Sequence, residues 1–300
     1  MKAVIYENYG SPLVLKMSEL AKPVPRENEV LIQIHATTVS AGDWRLRKAD
    51  PFLARLFNGL FRPKRVKILG FELAGVIEEV GKKVQAFKPG DEVFASCGLR
   101  FGGYAEYTCL PVNDLIALKP ENMSFEEAAT VPVGGLTALR FLKQAGIKAG
   151  SKVMIYGASG SVGSFALQIA KAYGANTSAV CSTTNLSMVK MLGADQVMDY
   201  TIDELTKFGS NYDIIFDAVG KLSKSAGKSL LNSGGRYVTV KRNPKINPDD
   251  LLQLRELIIQ GKLITVIDRS YSLEQIQEAH AYVESFHKKG NVVVNIMNHQ

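Results

Sequence analysis

The residues from Gly157 to Gly163 read GASGSVG, and this glycine-rich stretch follows KVMIY and precedes SFALQIAKAYGA. Positions 158–163 match the dinucleotide-binding pattern Gly-x-Gly-x-x-Gly with alanine in place of the first glycine. Gly160 would let a backbone approach a pyrophosphate, Gly163 would let a helix pack on a strand, and the helix N-terminus would supply free N–H donors. A tight turn without a ligand is the alternative, but three glycines would weaken such a turn without a reason. We therefore expect a dinucleotide to contact Ala158, Ser159, Gly160, Ser161, Val162 and Gly163.

The end of the next strand indicates which dinucleotide is bound. An NAD site usually has Asp or Glu there for the ribose hydroxyls, whereas this chain has CSTTN at 181–185 and no acid. A 2′-phosphate would meet no like charge there, and it would find hydroxyl donors on Ser182, Thr183, Thr184 and Tyr200. Thr183 or Thr184 could instead cap a helix, and CSTTN contains no arginine for the phosphate. The sequence favours NADP over NAD.

The elements around this turn alternate between strand and helix. From Ser151 onward the apolar stretches KVMIY, TSAVC, QVMDY, YDIIFDAVG and GGRYVTV are separated by helical segments, among them 161–174 and one near 185–192. Parallel strands need crossover helices, so this pattern predicts a doubly wound parallel sheet of five strands. A helix start is marked before it by Ser124 and Glu127, which fit a capping box.

The first part of the chain has a different character. AVIYE, EVLIQIHATTV, LAGVIEEVG, DEVFAS and YAEYTCL are short stretches rich in β-branched and aromatic residues, which predict a compact barrel or sandwich. After the α/β part, the chain closes with a helix and the strand NVVVNI. The predicted fold class is α/β, with a β domain and a Rossmann-type domain.

Composition agrees with two domains, because 300 residues exceed what one hydrophobic core usually supports. No apolar run is long enough for a bilayer span, and the first residues, MKAVIYENYG, lack the apolar stretch of a signal peptide. Cys97, Cys109 and Cys181 are isolated and odd in number, which favours reduced thiols over a disulfide framework. We expect a cytoplasmic protein.

The net charge of +7 is concentrated in one segment. The stretch from Trp44 to Lys67 contains one acid, Asp50, and eight basic residues: Arg45, Arg47, Lys48, Arg55, Arg62, Lys64, Arg65 and Lys67. Six apolar residues recur within it at helical spacing: Phe52, Leu53, Leu56, Phe57, Leu60 and Phe61. The preferred interpretation is a surface helix with its apolar side on the core. The alternatives are a lid over an apolar pocket, or a patch for anionic lipid or nucleic acid.

Seven motifs in one order carry a family resemblance: LGFELAGVIEEVG, FKPGDEVFAS, GGYAEY, AATVPVGGLTAL, GASGSVG, LGADQVMDY and YDIIFDAVG. They resemble the medium-chain dehydrogenase/reductases, and more narrowly the zinc-free quinone oxidoreductases that include zeta-crystallin. The resemblance implies a GroES-like catalytic domain at 1–119, completed by 265–300, with a dinucleotide-binding domain at 120–264 inserted between. It also implies a homodimer.

Zinc-dependent members of that superfamily carry Cys, His and Cys as ligands, and the matching positions here hold Ser40, Phe71 and Val133. Phe and Val cannot bind zinc, and Ser is a poor substitute for a thiolate. His280 and His287 share one helical face without Cys or carboxylate partners at ligand spacing, so we interpret them as surface or interface residues. We expect no metal site.

An unactivated alcohol or ketone is a difficult partner for hydride transfer without a Lewis acid. Quinones and α,β-unsaturated carbonyls delocalise the incoming negative charge, so a hydrogen-bond donor and correct placement suffice. The resulting hypothesis is a zinc-independent transfer of hydride from NADPH to a quinone or an α,β-unsaturated carbonyl. The alternatives are an alcohol or aldehyde dehydrogenase of the same superfamily, and a cofactor-holding protein whose segment 45–67 binds RNA or membrane.

Three residues are candidates for the substrate side of this reaction, and two more are candidates for contact with the cofactor. Ser40 would donate to the substrate carbonyl, although it could simply end a strand, and Trp44 would form an apolar wall with 52–61, although it could belong to the core. Asp43 is a candidate acid or base that could equally be a turn former. The resemblance places Thr137 beside the nicotinamide, and we also expect Val219 to contact the cofactor.

The chain departs from the family after Val240. Members usually continue through an apolar segment of several tens of residues to a sixth strand, which commonly pairs in a dimer, whereas KRNPKINPDD leads here directly into a helix. Either the natural chain is shorter or residues are missing from the sequence. We favour missing residues, because loss of a central dimer strand would expose a sheet edge. This interpretation predicts a break in the backbone near Val240–Lys241.

Overall fold

The structure is a computed structural model, and it describes residues 1–205, 209–242 and 247–297. The chain forms two compact units, Met1–Val133 together with Ile267–Gln300, and Gly134–Val266. The second unit is therefore an insertion in the first. The domain boundaries predicted from the sequence put 120–133 with the dinucleotide-binding domain, whereas the structure keeps these residues in the first unit.

The first unit is built on short, mostly antiparallel strands. They are β1 (Lys2–Ile5), β2 (Lys16–Glu19), β3 (Glu29–Thr38), β4 (Glu72–Val80), β5 (Glu92–Ser96), β6 (Tyr107–Pro111), β7 (Leu115–Leu118), β13 (Ile267–Ser272) and β14 (Asn291–Asn295). The main sheet has the order β13-β14-β3-β4-β5-β7, with β6 also paired to β3, and β1 pairs with β2. Strand β14 runs antiparallel to β3, with Val293 opposite Thr38. The last strand thus completes the sheet of the first unit, as the sequence predicts.

Short helices connect these strands. They are α1 (Ala41–Lys48), α2 (Ala54–Asn58), α3 (Phe125–Ala129) and α9 (Ile276–Glu284). Helix α3 begins with the predicted capping box, in which the Glu127 N–H donates to Ser124 Oγ and the Ser124 N–H donates to the Glu127 carboxylate.

The second unit contains the parallel sheet. Its strands are β8 (Lys152–Tyr156), β9 (Asn176–Cys181), β10 (Gln196–Asp199), β11 (Tyr212–Asp217) and β12 (Leu231–Thr239), in the order β10-β9-β8-β11-β12. Its helices are α4 (Val131–Gln144, whose first residues belong to the first unit), α5 (Ser161–Ala172), α6 (Leu186–Met191), α7 (Lys224–Ser229) and α8 (Pro248–Ile259). No helix in the described ranges is long and apolar enough to cross a bilayer.

The strand order reverses between β8 and β11. The chain runs from β8 outward to β9 and β10, and then returns to the other side of β8 for β11 and β12. Tyr156 at the end of β8 is in register with Val180 of β9 and Asp217 of β11. The carboxyl ends of these strands therefore lie together at the switch point, which is where open α/β sheets bind their ligands.

The backbone is continuous where the sequence predicts a break. The Val240 N–H donates to the Asp217 carbonyl at 3.1 Å, and the Arg242 N–H donates to the Thr239 carbonyl at 3.2 Å. The expectation of a break at Val240–Lys241 is therefore wrong, and among the described residues the parallel sheet has the five strands predicted. The rest of the connection to α8, residues 243–246, lies outside the described residues.

The basic segment 44–67 is not one helix with an apolar side on the core. It contains the two short helices α1 and α2, and Phe52, Leu53, Leu56, Leu60 and Phe61 are exposed. Phe57 alone of the six predicted apolar residues packs against the core of this unit. The preferred interpretation of this segment is therefore wrong, and its apolar side faces outward.

His280 is buried, which corrects its interpretation as a surface or interface residue. The Arg47 Nε–H donates to His280 Nδ1 at 3.2 Å, so that ring nitrogen carries no proton and Nε2–H donates to Tyr104 Oη, 3.1 Å away. Arg47, itself buried, forms an ion pair with Glu284. Burial and the neighbouring Arg47 charge hold the pKa of His280 well below 6.5. His287 is exposed.

The neutral state of His280 predicts a contribution to stability that is lost in acid. Below pH 6.5 the unfolded chain binds a proton at this residue that the native protein does not, so stability falls as pH decreases. Urea unfolding at about pH 5.5 and pH 7.5 should show wild type losing about 1.4 kcal/mol more than His280→Asn, which retains an acceptor for Arg47. The exposed His287→Asn variant should behave as wild type. An equal pH dependence in His280→Asn and wild type would contradict the assignment.

Candidate active site

The glycine-rich turn connects β8 to α5 through a very close contact between backbones. A Cβ atom on Gly163 would lie 2.1 Å from the carbonyl oxygen of Gly157 and 2.8 Å from the Cα of Ala158. Gly157 itself has φ of +81°, a conformation that favours glycine. Helix α5 therefore lies directly against the end of β8 because no side chain separates them.

Gly160 has open space beside it. It is the N-cap of α5 in an extended conformation, and a Cβ atom at this position would have the Gly157 carbonyl oxygen, 3.5 Å away, as its nearest neighbour. The first turn of α5 contains no acidic residue, and its leading N–H groups have no partner within the helix. These groups and the helix dipole favour an anion. The turn thus fits a pyrophosphate, with Ser159, Ser161 and Val162 half-buried around it and Ala158 beneath it.

A second turn follows β11 at the same edge of the sheet. The buried Asp217 carboxylate accepts from the Gly220 N–H at 2.8 Å, and its other oxygen accepts from the hydroxyls of Tyr237 and Thr239, both at 3.1 Å. A Cβ on Gly157 would lie 2.5 Å from Cγ1 of Val219, which shows that the two turns are in contact. Sequence reasoning selected Val219 but missed Asp217, whose Asp-x-x-Gly spacing at a strand end was the available signal.

Thr137 lies on the helix that packs beside the glycine-rich turn. A Cβ on Gly134 would lie 2.6 Å from Ser161 Oγ, so the start of α4 contacts the start of α5. Thr137 is one turn further along the same face of α4 and is half-buried. Thr137 therefore lies one turn beyond the point at which α4 contacts the start of α5.

The hydroxyl groups predicted for a 2′-phosphate lie at the ends of β9 and β10. Ser182 follows β9, Thr183 and Thr184 begin a short 3-10 turn, and neither threonine side chain caps α6. The Tyr200 N–H donates to the Cys181 carbonyl at 3.1 Å, which places Tyr200 beside this turn, with its side chain half exposed. The alternative in which Thr183 or Thr184 serves as a helix cap is not seen.

An acid that sequence reasoning missed lies beside these hydroxyls. Asp199 ends β10 and is in register with Cys181, so its carboxylate lies next to CSTTN although it is distant in sequence. Thr201 Oγ1 donates to Asp199 Oδ1 at 2.6 Å and lies 3.0 Å from Thr183 Oγ1. Hydrogen bonds from Thr183 and Thr201 hold the pKa of Asp199 below its usual range. The Thr183 proton is thus directed toward the acid, and Thr183 offers a ligand its lone pairs. The signal was present in QVMDY, where the sequence selected only the tyrosine.

On the first unit, Ser40 and Asp43 form the start of α1. The Ser40 N–H and hydroxyl both donate to Asp43 Oδ2, at 2.8 and 2.6 Å, and the Gly70 N–H donates to Oδ1 at 2.8 Å. Asp43 is fully buried, and burial raises the pKa of its carboxyl to about 6 despite these donors. Asp43 therefore does act as a turn former, in a capping box, and it also controls the direction of the half-exposed Ser40 hydroxyl.

Trp44 belongs to the core of the first unit. It is 5% exposed and packs edge-on against Phe286 at 5.6 Å between ring centroids. The exposed residues of 52–61 do not join it in a common buried wall. The structure therefore gives Trp44 the core position that the sequence left as its alternative.

The three positions that match zinc ligands do not fit a metal. Phe71 packs on Phe101 at 4.1 Å between ring centroids, Val133 has an apolar side chain and its N–H donates to Glu72, and the Ser40 hydroxyl donates to Asp43. Across residues 1–205, 209–242 and 247–297, no group of three or more His, Cys, Asp or Glu side chains could hold a metal ion.

Glu72 is a second buried acid that sequence reasoning missed. It follows Phe71 on β4, accepts from Thr38 Oγ1 at 2.5 Å and from the Val133 N–H at 2.6 Å, and is 2% exposed. Burial raises the pKa of Glu72 to about 7 and lowers that of nearby Lys288 to about 8. An acid within the apolar stretch GFELAG was the available signal.

Comparison with known proteins agrees with this arrangement. A profile described as alcohol dehydrogenase GroES-like domain matches residues 26–120, and one described as zinc-binding dehydrogenase matches residues 161–285. The chloroplastic NADPH-dependent alkenal/one oxidoreductase of Arabidopsis thaliana is 33% identical over 98% of this chain and 79% of its own length. The quinone oxidoreductase of Homo sapiens is 33% identical over 93% of both chains. The solved structure of the quinone oxidoreductase from Coxiella burnetii is 30% identical, with a TM-score of 0.88 over 99% of each chain.

A GroES-like unit with an inserted Rossmann-type unit defines an oxidoreductase of the dehydrogenase class. The chain belongs to the medium-chain dehydrogenase/reductase superfamily, in its quinone oxidoreductase branch. The predicted family, the α/β fold class and the enzyme class, an NAD(P)H-dependent oxidoreductase, are confirmed.

Proposed function

We propose that the protein reduces quinones or α,β-unsaturated carbonyl compounds with NADPH and without a metal ion. The observation that carries this proposal is the open space at Gly160, which lies at the N-terminus of α5 and at the switch point of the parallel sheet. When bound, the dinucleotide supplies a hydride. Relatives named for NADPH-dependent alkenal/one reduction and for quinone reduction support this choice of cofactor and acceptor.

The binding groups for the cofactor come from the second unit. Ala158 to Gly163 would hold the pyrophosphate, and Thr137 and Val219 would contact the nicotinamide half. Ser182, Thr184 and Tyr200 would donate to the 2′-phosphate, and Thr183 would do so only by giving up its hydrogen bond toward Asp199 and Thr201. Asp199 opposes this last interaction, because its charge repels a phosphate and its hydrogen bonds turn the Thr183 proton away.

Ser40 would supply the hydrogen bond that the substrate oxygen needs as negative charge develops on it. While Asp43 is ionised, the Ser40 hydroxyl donates to it; once Asp43 is protonated, that hydroxyl is free to donate to the substrate. Burial raises the pKa of Asp43 to about 6, so the change falls near neutrality. Asp43 is then a positioning residue, and Trp44 supports α1 from the core.

The same proposal includes a homodimer in the cytoplasm. The cysteines Cys97, Cys109 and Cys181 are all free thiols in the structure, which suits a reducing compartment. Strand β12 forms one edge of the parallel sheet, and edges of this kind are the surfaces through which sheets pair.

The cofactor site is tested by Gly160→Asp. Aspartate is a favourable N-cap and Gly160 has an extended backbone, so the variant should fold with an unchanged melting temperature. Its carboxylate would occupy the anion position, so NADPH binding followed by fluorescence titration should weaken at least roughly a hundredfold. Gly160→Ala, which adds no charge, is the matched control and should bind more tightly than the aspartate variant.

The choice of acceptor is tested with the wild-type protein. Turnover of 1,4-naphthoquinone or an alkenone with NADPH, and little oxidation of simple alcohols with NADP or NAD, is the expected result. A preference of the wild-type protein for simple alcohols would refute the proposed reaction. In the preceding test, unchanged NADPH affinity in Gly160→Asp would refute the assignment of the cofactor site to the glycine-rich turn.

Asp199→Asn should shift cofactor preference toward NADPH. The substitution removes the negative charge beside Thr183, which should tighten NADPH binding several-fold while changing NADH binding little. The ratio of the two dissociation constants is the measurement. Glu256→Gln on α8 removes an exposed charge elsewhere in the second unit and serves as the control. An unchanged ratio would show that Asp199 does not influence the 2′-position.

Ser40→Ala should lower kcat/KM about tenfold to a hundredfold, because one donor to the developing oxyanion is lost. In wild type, kcat/KM should rise as the pH falls through about 6 and Asp43 becomes protonated, and the alanine variant should lack this rise. Ser40→Thr retains the hydroxyl and should restore the pH profile. Equal profiles in wild type and Ser40→Ala would exclude Ser40 as the donor.

A further inference from the structure

Residues 52–61 of the first unit expose an unusual amount of apolar surface. Five large side chains in this stretch, between 46% and 86% exposed, have no place in the core: Phe52, Leu53, Leu56, Leu60 and Phe61. Isolated exposed apolar residues are normal, but five within ten positions are more than chance exposure explains, and concentrated apolar surface of this kind marks an interaction site. We refer to these five side chains as the 52–61 surface.

The fold imposes this exposure. Asn58, in the middle of the stretch, is fully buried, and its side chain binds Tyr6 Oη at 2.6 Å and the Val66 N–H at 2.7 Å. The Lys64 N–H donates to the Asn58 carbonyl at 2.7 Å, and Tyr9 Oη donates to the Gly59 carbonyl, also at 2.7 Å. Burial of an asparagine between exposed leucines and phenylalanines inverts the usual distribution. The 52–61 surface is therefore held in place and directed outward.

Positive charge flanks this surface on both sides along the chain. Six basic residues of the same segment are exposed: Arg45, Lys48, Arg62, Lys64, Arg65 and Lys67. The single acid within 44–67 is Asp50, and Glu284 outside the segment pairs with the buried Arg47 and with Lys48. An apolar patch with a basic border is complementary to a surface that is apolar inside and anionic at its face.

We propose that the 52–61 surface docks on an anionic lipid bilayer, with its apolar side chains in the interface and the basic residues on the lipid phosphates. The combination is what membrane-surface attachment requires, since apolar burial and attraction to anionic lipid add together. A phosphate backbone would use the cations but leave the leucines exposed to water. A second copy of the same face would bring like charges together. The proposal concerns a surface of the first unit and does not depend on the proposed reaction.

The test is co-sedimentation or flotation of the full-length protein with vesicles. Vesicles of phosphatidylcholine with roughly one-third phosphatidylserine should bind the protein at least roughly tenfold more tightly than pure phosphatidylcholine, and added salt should weaken binding. The triple variant Phe52→Ser, Leu56→Ser, Phe61→Ser should lose at least tenfold in affinity. The triple variant Arg62→Gln, Lys64→Gln, Lys67→Gln should lose a similar factor. All six side chains are exposed, so both variants should keep the wild-type melting temperature.

Matched controls remove equal numbers of exposed groups elsewhere. Leu13→Ser, Val24→Ser, Met191→Ser and, separately, Lys16→Gln, Lys82→Gln, Lys88→Gln should bind vesicles as wild type does. The proposal would be overturned if both the apolar and the basic triple variant bound anionic vesicles with wild-type affinity. It would also be overturned if the wild-type protein showed no preference for anionic vesicles. Tighter binding to single-stranded RNA than to vesicles would overturn it in favour of nucleic acid. Reduced turnover of the triple serine variant at 52, 56 and 61 in the absence of vesicles, together with unchanged vesicle binding by that variant, would overturn it in favour of a substrate lid.

Discussion

The close contact between Gly163 and the backbone of Gly157 is the constraint that determines how the second unit is organised. With no Cβ between them, α5 approaches the end of β8 so closely that its N-terminus emerges beside the carboxyl ends of the central strands. That position gives the helix dipole and the free N–H groups a common direction. It also fixes Gly157 against Val219, so that the turns after β8 and β11 border the same space. The dinucleotide site proposed here follows from this backbone packing more than from any side chain.

Three buried carboxylates fix the backbone around the proposed cofactor and substrate groups. Asp217 orders the turn after β11, Asp43 orders the start of α1, and Glu72 joins β4 to Thr38 and to the backbone at Val133. Each accepts at least one backbone N–H, which offsets part of the cost of removing a carboxylate from water. The elevated pKa values of Asp43 and Glu72 show that the offset is incomplete. These two groups therefore remain able to change protonation close to physiological pH.

Sequence patterns predicted those helices and strands that are specified by residues close together in the chain or by family motifs. The capping box at Ser124, the five parallel strands and the role of the last strand all follow from short-range spacing or family motifs, and the structure contains them. Contacts set by strand pairing were beyond such patterns: Asp199 reaches Thr183 because β10 lies beside β9. Buried polar residues were also missed, because the amphipathic pattern of 44–67 and the spacing of the two histidines gave no sign that Asn58 and His280 find partners in the interior.

The pairing of β14 with β3 determines when the first unit can become complete. Residues 291–295 leave the ribosome long after Thr38, yet they fill the place beside it in the sheet. The inserted unit has all of its described strands between 152 and 239 and needs nothing from 291–295 for its sheet. Until those residues have been synthesised, β3 therefore keeps one edge unpaired. A chain whose translation stopped before residue 291 would lack this strand pairing in the first unit, although it would contain every described strand of the second unit's sheet.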